Sequence, residues 1–157
     1  FNFAFVNRVA VLPLENLSQD AQAGVRTTRI LVTALLASEA VDVVEMGEVT
    51  AAMNRLPGAP QRPSTEQIIT LGEALEVQAL IMGSVNQSET LRSGSVNIPV
   101  VTIDLHMVET ESGQPVWAAT NSERGSGASA KWLGVGAEPI SETTRSCVQV
   151  LVKKLVR

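Results

Sequence analysis

The chain has 157 residues, 45% of them hydrophobic and 18% charged, and a formal net charge of −4. That length suits one domain able to bury roughly two thirds of the surface its unfolded form exposes. Aromatic residues make up only 3% and tyrosine is absent, so the stacking side chains and basic excess of a nucleic-acid binder are missing. The single cysteine, Cys147, excludes an internal disulfide and a multi-thiolate zinc site. No apolar run approaches the roughly 20 residues a membrane-spanning helix needs.

Residues 9–14 form a short apolar run punctuated by Pro13, followed by a polar loop from Glu15 to Gln22. A buried first strand feeding a helix is the expected structure. The turn between them lacks both the Gly-x-Gly-x-x-Gly fingerprint and a glycine-rich loop ending in Lys-Ser/Thr, so the usual phosphate cradles are absent. That points away from nucleotide chemistry and toward a binding or assembly module. Val25, Thr28, Leu31, Val32, Leu35 and Leu36 recur at helical spacing and predict a helix over 21–39. A short strand over 41–45 and a short helix over 48–56 follow, closed by the breaker Pro57-Gly58-Ala59-Pro60. Ser64 and Gln67 have capping-box spacing ahead of the stripe Ile68, Leu71, Ala74 and Leu75.

After Glu76 the period changes to that of strands. Residues 79–85 predict one, with Gly83 marking a bulge or a close backbone approach. Arg92-Ser93-Gly94-Ser95 reads as a turn. In the long strand over 96–108, Val101, Ile103, Leu105 and Met107 share one face while Thr102, Asp104 and His106 share the other. Residues 110–114 are a tight turn, and 115–120 return as the partner strand. A glycine-rich loop over 125–136 precedes a last helix from about Pro139, a residue suited to a first turn. It carries Ile140, Cys147, Val148, Leu151, Val152 and Leu155. The order β-α-β-α-α-β-β-β-α predicts a single α/β domain over 1–157, with helices packed on one mixed sheet and residues 1–7 as an N-terminal tail.

Asp104 and His106 are the one acid and imidazole set side by side, a pairing that serves a base oriented by a carboxylate. The favoured reading is nonetheless a solvated or subunit-facing side of a half-covered sheet, since no nucleophile elbow accompanies them. One histidine without a ligand cluster assembles no metal site. Cys147, within an apolar stripe, reads as core packing rather than a reactive thiol. Glu39, Asp42, Glu45 and Glu48 lie close together. From Ser93 to Glu123 every charged residue is acidic, namely Asp104, Glu109, Glu111 and Glu123. Repeated around a ring, such charge would attract a polycation; on one subunit it also reads as ordinary solvated turns. Trp132, with Lys131 and Leu133, sits in a loop of Gly, Ala and Ser. It reads either as an interfacial membrane contact or as a ring folded back on its own subunit. Trp117 reads as core or interface packing.

Three segments together resemble the CsgG/TolB-N-like group of bacterial envelope lipoproteins: residues 9–18, residues 79–85 and the strand-turn-strand over 104–117. Within that group the chain is similar to the PelC family of Pel exopolysaccharide export, through Gln22-Ala23-Gly24 and the placement of Trp132. It lacks the two long amphipathic hairpins of the CsgG channel. The resemblance implies a fold like the CsgG periplasmic domain, no enzymatic activity and no cofactor. It implies a periplasmic lipoprotein held on the inner leaflet of the outer membrane by an N-terminal lipid attached upstream of Phe1. It also implies a large ring of dodecamer type that guides a cationic polysaccharide to a PelB-type barrel. Trp132, Leu133 and Lys131 would touch the membrane, and Asp104, Glu109 and Glu111 would supply the acidic lining. The alternatives are a monomeric LpoB-like regulator of a cell-wall synthase, another CsgG-like envelope assembly factor, or an enzyme using Asp104 and His106.

Overall fold

The computed structural model describes residues 2–125 and 139–157. Its strands are β1 (Arg8–Val11), β2 (Glu15–Asn16), β3 (Asp42–Val43), β4 (Ala79–Ser93), β5 (Val96–Glu109) and β6 (Pro115–Arg124). Its α-helices are α1 (Ala23–Ser38), α2 (Met46–Arg55), α3 (Thr65–Leu75) and α4 (Ile140–Leu155). One mixed sheet runs β3-β1-β4-β5-β6, with β2 continuing beside β4 beyond the end of β1. The β3-β1, β1-β4 and β2-β4 pairs are parallel, and β4-β5-β6 is an antiparallel meander. The expected single mixed sheet with helices packed on it is the observed architecture.

Two helical layers give the sheet two cores. Leu31 and Leu35 of α1, with Cys147, Val148 and Leu151 of α4, pack on Val9, Val11, Ile81, Val101, Ile103, Leu105 and Met107. On the opposite face, Val49 and Ala52 of α2 and Ile68, Leu71 and Leu75 of α3 cover Ala10, Leu12, Leu80, Met82 and Val108. The first strand is buried on both sides, which explains its unbroken apolar run.

The expectation of one strand over 9–14 is corrected at Pro13. Val11 pairs with Ile81 and Glu15 with Ser84, so Leu12, Pro13 and Leu14 stand against only Met82 and Gly83. The extra residue is a bulge, and it reverses the side-chain parity. Leu12 points into the α2/α3 core, and Leu14 into the α1/α4 core. Proline has no N–H to lose at this position. The Leu14 N–H donates to the buried Thr28 Oγ1 at 3.0 Å, and that hydroxyl donates to the Gly24 carbonyl at 2.8 Å.

The following loop contains β2 and is tied down by its own side chains. Asn16 Nδ2 donates to the Asp20 carbonyl at 2.7 Å, and Ser18 Oγ donates to Asn16 Oδ1 at 2.6 Å. Asp20 receives Arg26 from α1 and Ser88 from β4. Burial raises the Asp20 carboxyl, but the donors Arg26, Gln22 N–H and Ser88 outweigh it and hold the group below its ordinary range. Residues 2–7 also do more than trail: Phe3 and Val6 are buried, and Gln78 Oε1 accepts from the Asn7 and Arg8 N–H groups.

Two local readings hold in detail, and a third shifts by one residue. Ser64 and Gln67 make both hydrogen bonds of the capping box. Gly83 is a close approach, since a Cβ there would lie 2.1 Å from the Asp104 carbonyl oxygen. Pro139, expected in the first turn, is the N-cap of α4, which begins at Ile140. Strands β4 and β6 run further than expected, to Ser93 and Arg124, with polar residues carrying the extensions.

Thr28→Val keeps the shape of the side chain and removes the acceptor for the Leu14 N–H. The expected cost is about 1–3 kcal/mol, the penalty of one buried unsatisfied donor. A lowered urea midpoint checks this; an unchanged midpoint contradicts it.

Candidate functional site

The α2/α3 layer covers β1, the start of β4 and Val108 at the end of β5, so among the described residues the rest of β5 and β6 is open on that face. Register sets Asp104 between Ser84 and Thr120, and His106 between Met82 and Ala118. The expected sharing of one face by Thr102, Asp104 and His106 is therefore observed. Asp104 is the hub of a polar network in which Oδ2 accepts from Asn86 Nδ2 and Oδ1 from Thr120 Oγ1. Ser84 Oγ donates to Asn86 Oδ1 at 2.7 Å, and the Thr102 and Ser122 hydroxyls share a hydrogen bond of 2.7 Å. Asn86 itself bulges from β4, because Val85 opposes Ile103 while Gln87 already opposes Thr102.

A cleft of about 480 Å³ opens where this face meets the α2–α3 loop. Leu12, Met82 and Val108 contribute apolar walls, with Asp104 and His106 on one side and Arg62 on the other. Arg62 Nε and Nη2 both donate to Glu15 Oε2, at 2.9 and 2.6 Å. Burial lowers the His106 pKa and the Asp104 charge only partly opposes this, so the imidazole is neutral at neutral pH. Both oxygens of Asp104 are directed to Asn86 and Thr120, and no hydrogen bond joins Asp104 to His106 among the described residues.

Glu109 and Glu111 lie elsewhere. With Glu73 they line a second cavity of about 530 Å³, whose other walls include Phe5, Val6, Ile69 and Val116 and which, among the described residues, no basic residue lines. The β5–β6 turn that carries them is held against α3. Thr110 Oγ1 donates to the Val77 carbonyl at 2.6 Å, and its N–H to the Gln78 carbonyl at 3.0 Å. Gly72 admits this contact, because a Cβ there would fall 2.3 Å from the Thr110 Cβ. Gly113 turns the chain at φ +69° against Thr65. Ser112 Oγ donates to Glu109 Oε2 at 2.7 Å. The three acids singled out in the sequence thus divide between two cavities. Glu73 was missed, since only the tertiary fold brings α3 beside the turn.

Lys131, Trp132 and Leu133 lie outside the described residues. Trp117 is half-buried against the α1/α4 core, as its sequence setting suggested. Among the described residues no group of His, Cys, Asp or Glu could hold a metal ion, and no helix is long and apolar enough to cross a membrane.

No family model matches this chain, and no curated protein matches its sequence. Solved structures do resemble it. A PelC variant dodecamer from Paraburkholderia phytofirmans is 18% identical at a TM-score of 0.69, covering 95% of this chain and 88% of that one. Lipoprotein GNA1162 from Neisseria meningitidis is 17% identical at 0.65, covering 95% and 97%. The LpoB C-terminal domain from Salmonella enterica is 16% identical at 0.57, covering 74% and 81%. At these identities the likeness is one of fold: the chain has the α/β fold shared by these lipoproteins.

Cys147 is fully buried, and its Sγ lies 3.2 Å from the Asn121 carbonyl. Burial pushes its pKa up to about 11, which leaves little thiolate at ordinary pH. In native protein at pH 8 the thiol is expected to resist Ellman's reagent and to react at once in denaturant. Prompt reaction of the folded protein contradicts the packing role.

Proposed function

We propose that this protein is a non-enzymatic envelope lipoprotein of PelC type, placed in the periplasm against the outer membrane. Copies of it assemble into a ring that draws a cationic exopolysaccharide toward an outer-membrane barrel. The observation that carries this reading is the cavity lined by Glu73, Glu109 and Glu111 and, among the described residues, by no basic one. Its position is set by the Gly72–Thr110 and Gly113–Thr65 contacts rather than by a loose turn. Several like carboxylates per subunit, repeated around a closed ring, sum to a field that no single subunit carries.

The fold supports the same reading, since a PelC of matching architecture over 95% of this chain is a dodecamer. The LpoB domain corresponds to a smaller part, 74%, so the monomeric regulator is the weaker reading. Lys131, Trp132 and Leu133 are the proposed membrane contacts, beside a lipid on the N-terminal side. Asp104, engaged by Asn86 and Thr120, adds charge to the open sheet face more than to the acidic cavity.

A partly deacetylated chitin polymer is a suitable cationic probe at pH 6. Glu109→Gln with Glu111→Gln is expected to weaken its binding roughly two- to fivefold per carboxylate, the worth of an exposed ion pair. The wild-type affinity should also fall as salt is added. Equal binding by wild type and the double variant at low salt contradicts the proposal.

A further inference from the structure

We infer that copies of this chain join head to tail, the outer stripe of α1 on one copy seating against the open sheet face of the next. This rests on the ring proposed above and names the surfaces that build it. Val25, Arg29, Val32 and Leu36 fall on one stripe of α1. Val25 and Leu36 are 55% and 54% exposed, two of the most exposed large hydrophobic side chains described. The groove between α1 and α4 is lined by Ile30, Thr33, Ala34 and Ala37, with Arg29 at the margin it shares with the stripe; Val25, Val32 and Leu36 lie outside that groove. Val32 packs partly on its own core, while Val25 and Leu36 stand clear of it.

The second surface lies at the opposite end of the sheet and on its other face. There Ala118, Thr120 and Ser122 of β6 are exposed above Thr102 and Asp104 of β5. Their small side chains leave a flat surface against which a helix can lie. The charges are complementary. Arg29 stands exposed in the apolar stripe, and Asp104 sits in the sheet face. Among the described residues neither has an ion-pair partner. Placed on opposite faces of the sheet and toward its opposite ends, the two surfaces cannot meet within one subunit. A contact between two unlike patches is heterologous and repeats from copy to copy until the rotation closes a ring. Patches on nearly opposite sides give a small turn per copy, and hence many copies.

Light scattering after size exclusion tests this with two kinds of variant. Leu36→Glu, with Arg29→Glu as an independent second choice, spoils the helix stripe. Ala118→Arg spoils the sheet face by setting a cation against Arg29. All three positions are exposed, and unchanged circular dichroism and melting show that each variant is folded. Wild type is expected to run as a large oligomer, and each variant as a monomer. An equimolar mixture of Leu36→Glu and Ala118→Arg should yield a dimer and nothing larger, because each retains one intact, complementary surface. Folded variants that still assemble as wild type overturn the inference and leave the ring proposal standing, as do monomeric variants that fail to pair when mixed. A wild type that is itself monomeric overturns the ring proposal and the inference with it.

Discussion

The change of face at Pro13 is the constraint on which the rest of the structure depends. A strand buried on both sides cannot sort its residues by polarity, so its register must be set by geometry. The bulge over Leu12, Pro13 and Leu14 does this, sending successive leucines into different cores. The donor freed by the bulge is met by Thr28, which ties the strand to the helix it leads into. The loop after it is then fixed by Asn16 and by the meeting of Asp20, Arg26 and Ser88. Where a nucleotide-binding fold would keep backbone donors free for phosphate, this chain uses its polar groups to hold β2, α1 and β4 together.

Because α2 and α3 stop at the start of β4 and the end of β5, the remainder of the antiparallel strands must satisfy its polar groups on the surface. It does so through the Asp104 network, and that arrangement is structural before it is anything else. Asp104 organises Asn86 and Thr120 and is not aimed at His106, while His106 is kept neutral by burial. This geometry speaks for a surface of contact more than for general-base chemistry. The acidic turn is a separate device. It projects Glu109 and Glu111 from a position held by two glycines against α3, so that its charge has a defined place on the fold.

What the sequence revealed and what it concealed divide along physical lines. Helices α1 and α4 were legible because their apolar residues repeat every three or four positions, and α3 because its capping box is a local signal. Gly83 was legible as a close approach, since an interior glycine in a strand has few other uses. The bulge and β2 were not, because a doubly buried run gives no alternation to reveal a shift. The outer halves of β4 and β6 were missed because their polar residues resemble loop. Glu73 could not be joined to Glu109 and Glu111 from spacing, as only the packing of α3 on the β5–β6 turn brings them together. The division of Asp104 from those two acids is likewise a product of register and twist.

These separate features favour the proposed assembly: charge that gains effect by repetition, exposed Val25 and Leu36 on one helix stripe, and a flat open sheet at the opposite end. Electron microscopy of the purified protein, reconstituted with outer-membrane lipid, tests that assembly most directly. The account predicts closed rings with rotational symmetry, with the β5–β6 turns of all subunits on one continuous acidic surface. Single subunits on the membrane, or rings with Glu109 and Glu111 buried between neighbours, would contradict it.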